Sequence, residues 1–117
     1  LEKSLFHDQL AEVLLVYHDD IPVALAMISL TNRNFSLYEK PGLYLDTLYV
    51  LPDYRRQGIA RKLLEYLRKL AKERNLGRID FVVLTQNARA FQLYNSLPYG
   101  KEVDFIKYMR IQIDDVI

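Results

Sequence analysis

Leu43 to Leu51 reads Leu-Tyr-Leu-Asp-Thr-Leu-Tyr-Val-Leu, and Pro52 closes the run. So apolar a stretch fits a strand buried on both faces. A loop follows, Asp53-Tyr54-Arg55-Arg56-Gln57-Gly58-Ile59-Ala60. From its end Ile59, Ala60, Leu63, Leu64, Leu67, Leu70 and Ala71 recur at helical spacing, while Arg61, Lys62, Glu65, Arg68, Lys69 and Lys72 fill the opposite side. That pattern predicts an amphipathic helix, and Asn75 to Gly77 supplies its stop signal. Ile79 to Leu84 is a second short apolar strand. A strand–helix–strand unit of this kind needs a right-handed crossover and parallel neighbours.

The flanks add antiparallel pairs. Ala11–Tyr17 and Pro22–Leu30 are apolar runs on either side of the turn His18-Asp19-Asp20, which predicts a hairpin. Residues 1 to about 9 read as a short amphipathic helix. Asn32-Arg33-Asn34 and Pro41-Gly42 mark loops. Ala88–Ser96 places Ala90, Phe91 and Tyr94 at helical spacing, Pro98–Gly100 is a turn, and Val103–Ile106 and Tyr108–Ile113 read as closing strands. The expected order is strand, strand, strand, helix, strand, helix, strand, strand, in a mixed sheet.

Other classes drop out. A chain of 117 residues fits one domain, and with 50% hydrophobic residues it can form a core. No apolar run nears the roughly 18 residues of a membrane helix. There is no cysteine, so disulfides, thiol nucleophiles and cysteine metal sites are excluded. His7 and His18 are too few for a histidine-rich metal site, and no metal is expected. The absence of cysteine, of a visible signal and of a membrane segment points to the cytoplasm; a trimmed signal would not be seen, because the chain begins at Leu1.

Charge is uneven. Between Asp53 and Arg78 lie nine basic residues against Asp53, Glu65 and Glu73, although the whole chain carries only +1. This suits either a solvated helix face or an anionic ligand. The loop before the helix sharpens the choice. A strand feeding a helix through a tight turn aims unpaired N–H groups and the positive end of the helix dipole at one spot. Gly58 allows close approach, Ala60 keeps the first turn small, and the arginines offer forked donors suited to phosphate. The physical reading is a phosphate-bearing ligand; a plain helix start with a glycine in its loop fits the same spacing. Neither a Walker loop nor a G-x-G-x-x-G is present.

The stretch Leu43 to Ala60 closely resembles the central motif of the GNAT superfamily of acetyl-CoA-dependent N-acetyltransferases, Arg/Gln-x-x-Gly-x-Gly/Ala, filled here by Arg55, Gly58 and Ala60. Asn87-Ala88-Arg89-Ala90-Phe91-Gln92-Leu93-Tyr94 resembles the family's second signature. The likeness runs from about Glu12 to Gln112. It implies an α/β (α+β) fold: a mixed, mostly antiparallel twisted sheet with a central parallel strand–helix–strand unit and helices on both faces. It implies one N-acetyltransferase domain over 1–117, lacking the family's N-terminal strand and helices, which help to form the acceptor site. By the same resemblance Arg55, Arg56, Gln57, Gly58, Ile59, Ala60 and Arg61 would hold the pyrophosphate of acetyl-CoA. The edge of Leu48, Tyr49 and Val50 would pair with the pantetheine arm, Asn87 would hydrogen-bond that arm, and Tyr94 would sit near the sulfur.

Transfer to an amine needs a neutral amine and a proton for the departing thiolate. Asp46 interrupts the apolar strand. Buried there, its pKa would rise toward that of a base, and the resemblance implies that role; a solvated or paired carboxylate at a strand edge fits equally. Tyr94, with a phenol of pKa about 10 against about 8.5 for a thiol, can protonate the leaving group, the role the resemblance implies; chain position alone suits a packing aromatic. A backbone N–H near Leu48 would meet the developing oxyanion. Tyr17, Tyr38, Tyr44, Tyr49 and Tyr54 suit either the acceptor pocket or packing. Ser96-Leu97-Pro98-Tyr99-Gly100 departs from the family's Gly-Phe, which leaves the acceptor open: a small-molecule or protein amine. The alternative is a non-catalytic acyl-CoA-binding sensor or interaction domain of the same fold. No nucleic-acid motif or membrane segment is present, and family members that dimerise through their last strands make a homodimer an expectation.

Overall fold

The computed structural model describes residues 2–4, 11–31, 39–104 and 106–113. They form two compact units, residues 1–82 and 83–117.

The first unit is a five-stranded sheet in the order β1-β2-β3-β4-β5 with one long helix. Its strands are β1 (Glu2–Ser4), β2 (Glu12–His18), β3 (Ile21–Thr31), β4 (Gly42–Val50) and β5 (Ile79–Asp80). The first four pair antiparallel, and β5 runs parallel to β4. Between β4 and β5 the chain makes a short 3-10 turn (Pro52–Tyr54) and then α1 (Ile59–Glu73). The architecture is the mixed, mostly antiparallel sheet with a parallel strand–helix–strand unit that the sequence predicts. One expectation fails at the start: Glu2–Ser4 is a strand paired with β2, not a helix. Residues 5–10, with His7, and 32–38, with Tyr38, lie outside the described residues.

The hairpin closes as a two-residue turn in which Asp19 (φ 49°) and Asp20 (φ 68°) both take left-handed conformations, the geometry that matches strand twist. Leu63, Leu64, Leu67 and Ala71 form the buried stripe of α1, which packs on β4 and β3 against Ala26, Ile28, Leu43 and Leu45 at the centre of the core. A fully buried leucine such as Leu67 contributes about 2 kcal/mol. The helix ends in a Schellman motif: Leu76 N–H donates to Ala71 O and Asn75 N–H to Lys72 O. Asn75 (φ 58°), rather than Gly77, supplies the left-handed residue.

Two strands differ from their expected form. β4 is not buried on both faces: Asp46, Thr47 and Tyr49 are exposed. Met27 pairs with Thr47 and Ile28 with Leu45, so Asp46 is an unmatched extra residue. Such a bulge bends the strand and re-aims its side chains. The second change follows: β5 pairs only through Leu43↔Ile79 and Tyr44↔Asp80, so the strand expected from Ile79 to Leu84 stops at Asp80.

Arg78 ties this junction together. Its Nε donates to Asp80 Oδ2 at 2.7 Å, its Nη1 donates to Lys40 O at 2.9 Å, and its own carbonyl accepts from Leu43 N–H. A Cβ on Gly42 would come within 3.0 Å of Arg78 Cγ, so the glycine makes room for the arginine stem. Arg78→Met is expected to cost about 2 kcal/mol, the scale of charge-assisted hydrogen bonds, seen as a lower urea midpoint at unchanged slope.

The second unit holds α2 (Ala88–Ser96). Asn87 caps it, its Oδ1 accepting from Ala90 N–H at 3.1 Å. The expected strands Val103–Ile106 and Tyr108–Ile113 are not formed among the described residues. Apolar alternation alone does not make a strand without a ladder partner, and Tyr108, Met109, Ile111 and Ile113 are left exposed.

Candidate active site

The loop from β4 into α1 has the properties of an anion cradle. Arg56 (φ 64°) and Gly58 (φ 80°) are both left-handed, a conformation that curves successive N–H groups around a concavity. Gly58 is the N-cap of α1, and no side chain caps the helix, so the N–H groups of the first turn open on the loop. A Cβ built on Gly58 meets nothing within 4 Å. The space that only a glycine leaves free is therefore available to a ligand. Gln57 and Arg61 are exposed around it, Ile59 and Ala60 are half-buried, and Gln57 Nε2 donates to Asp53 O at 3.4 Å.

Arg55 is used differently from its neighbours. Its Nε donates to Val50 O at 2.8 Å, and its guanidinium lies 5.4 Å from the ring centroid of Tyr49. The arginine that opens the motif thus staples the loop to the end of β4. Leu48, Tyr49 and Val50 lie on that strand beyond the bulge, and no described strand pairs with the β5-side edge of β4 past Tyr44. The structure brings the strand end and the loop together.

Asp46 is exposed, its Oδ2 within 3.5 Å of Thr47 Oγ1. The desolvation that a buried base would require is missing, because the bulge turns Asp46 out of the ladder. An Asp-Thr pair inside an apolar run is the signal that could have revealed the bulge.

In the second unit, Asn87 spends an oxygen lone pair on its cap and stays exposed. Tyr94 is half-buried, and burial pushes its phenol above the ordinary value of 10.0. A Cβ on Gly100 would come within 2.8 Å of Tyr94 O, so the turn after α2 fits closely against the Tyr94 backbone. Among the described residues no helix is long and apolar enough to cross a membrane.

A family model described as the acetyltransferase (GNAT) family matches residues 1–97. The chain belongs to that family. The chain is 28% identical over 96 residues to thialysine N-epsilon-acetyltransferase of Bos taurus, a match covering 82% of this chain and 56% of that protein. A relative of the same name from Caenorhabditis elegans is 37% identical over 65 residues, covering 56% of this chain and 41% of the relative. The chain thus spans about half the length of these relatives. Among solved structures, the ribosomal-protein-alanine N-acetyltransferase of Brucella melitensis biovar Abortus 2308 matches with a TM-score of 0.75 at 22% identity, over 92% of this chain and 75% of that one. An aminoglycoside N-acetyltransferase, AAC(6')-Iy, solved in complex with CoA, gives 0.75 at 15% identity over 88% and 68%. These structures share the GNAT fold, the open mixed sheet described above.

Proposed function

We propose that this chain is an N-acetyltransferase that moves an acetyl group from acetyl-CoA to a primary amine by direct attack, both bound together. The observation that carries the reading is the uncapped start of α1, with free space over Gly58, in a chain of the GNAT family. An uncapped helix end with room for a ligand is an anion site, and coenzyme A carries a pyrophosphate. When bound, acetyl-CoA supplies the activated acetyl group. Arg56, Gln57, Gly58, Ile59, Ala60 and Arg61 hold the diphosphate, chiefly through main-chain N–H groups. Arg55 keeps the loop in register with β4, and the open edge at Leu48, Tyr49 and Val50 accepts the pantetheine amides as an added strand.

The acceptor follows from Asp46. An exposed carboxylate on a bulge attracts a cationic amine and orients it. The relatives named for thialysine and L-ornithine support an amino-acid side-chain amine as the substrate class. Asp46→Asn is expected to raise KM for the amine about tenfold, the scale of one charge-assisted hydrogen bond, and to leave acetyl-CoA affinity unchanged.

Calorimetry with acetyl-CoA, followed by free-thiol release across lysine-like, polyamine and peptide amines, tests the reading. Micromolar binding with thiol release on the lysine-like amines is the expected result. Binding without release on any amine would instead establish the acyl-CoA sensor.

A further inference from the structure

Helix α1 packs on β4 and β3, and along its flank no described helix covers part of β2. The consequence is a cavity of about 500 Å³. Leu14, Val23 and Leu63, all buried, make its floor, and Val16 and Ile59 continue the apolar wall. Tyr17, His18, Tyr54, Gln57, Lys62 and Tyr66 stand around the mouth. All these residues belong to the first unit. The volume falls within the roughly 300–1,000 Å³ of small-molecule sites, which are likewise apolar with a few polar groups at the rim.

The charge of the mouth selects among ligands. No carboxylate lines the cavity, whereas Lys62 and His18 do. Lys62 is the charged side chain of the lining, and Asp19, 3.5 Å from His18 Nε2, lies on the turn outside it. The His18 ring lies 5.8 Å from that of Tyr54, and the hydroxyls of Tyr54 and Tyr66 can donate to an anion at the same rim. An organic cation would meet Lys62 unfavourably, and a neutral body would gain only the apolar wall.

We propose that this cavity binds a small organic carboxylate with an aryl or alkyl body: the body rests on Leu14, Val16, Val23 and Leu63, and the carboxylate faces Lys62. The cavity shares Gln57 and Ile59 with the loop proposed to hold the diphosphate, whereas Lys62 and the apolar floor lie outside that set, so binding is tested without acetyl-CoA.

The test compares 4-phenylbutyrate with its neutral amide, 4-phenylbutanamide, by titration of the protein followed by NMR. The carboxylate is expected to bind about fivefold more tightly, the scale of one partly exposed charge contact, with shifts centred on Leu14, Val16, Leu63 and Tyr66. Lys62→Glu changes an exposed residue and should erase that preference while keeping the amide's affinity. Val16→Trp should fill the cavity and abolish both. Equal affinity of acid and amide, shifts centred elsewhere, a preference that survives Lys62→Glu, or a concentration-dependent dimer that masks Leu14 and Val16 would each overturn the proposal.

Discussion

Gly58→Val is expected to weaken acetyl-CoA binding at least about 100-fold while the protein stays folded. Two effects combine. Gly58 sits at φ 80°, where a β-branched residue is strained by about 1–3 kcal/mol; the relaxation that follows turns the first-turn N–H groups away from their shared target. The new side chain also enters the space over the helix start, which is open in the protein itself. Gly58→Ala separates the terms. Its Cβ meets no protein atom within 4 Å, so its folding cost is limited to the left-handed conformation, about 1 kcal/mol, yet the methyl still stands where the diphosphate is proposed to lie. Calorimetry on both variants, with urea melts as the control for folding, gives the answer. Wild-type affinity in both would remove the helix start from the binding site.

That the loop could be read from sequence, while the strand beside it could not be read fully, has a physical cause. The period of Leu63, Leu64, Leu67 and Ala71 is imposed by helix geometry and survives any tertiary context. Gly58 at a strand-to-helix junction is likewise a local requirement. The hairpin turn was legible because Asp19-Asp20 tolerates left-handed backbone. The bulge at Asp46 is different: it depends on how two strands register, Met27 with Thr47 and Ile28 with Leu45, and a run of residues carries no register. At that slip lie the exposed Asp46 and Thr47. The expected C-terminal strands are not formed among the described residues for a related reason, since alternation at Tyr108–Ile113 predicts a strand only where a neighbouring ladder exists. The cavity beside α1 was invisible because it is made by what α1 fails to cover, and no residue of β2 announces the absence of a neighbour.

Tyr94→Phe is expected to lower kcat by about 10²–10⁴, the range of a general acid, and to change acetyl-CoA affinity by less than about threefold. The ring, and thus the packing that half-buries it, is kept; only the hydroxyl is lost. Partial burial pushes the Tyr94 phenol above 10.0, because less water remains to solvate the phenolate. The shift favours the protonated phenol, the form that the proposed general-acid role of Tyr94 needs. Two pH signatures follow. Wild-type rate should climb toward alkaline pH with the amine and not fall through loss of the Tyr94 proton below about pH 10. The same shift is linked to stability: a folded-state pKa above the unfolded one gives a contribution that is whole below about pH 10 and is lost as the pH rises from there through the folded value. Tyr94→Phe should flatten that alkaline loss in denaturant melts. If the variant turns over at the wild-type rate yet flattens the alkaline melt, Tyr94 is a buried packing residue, and the proton for the thiolate must come from another group or from water.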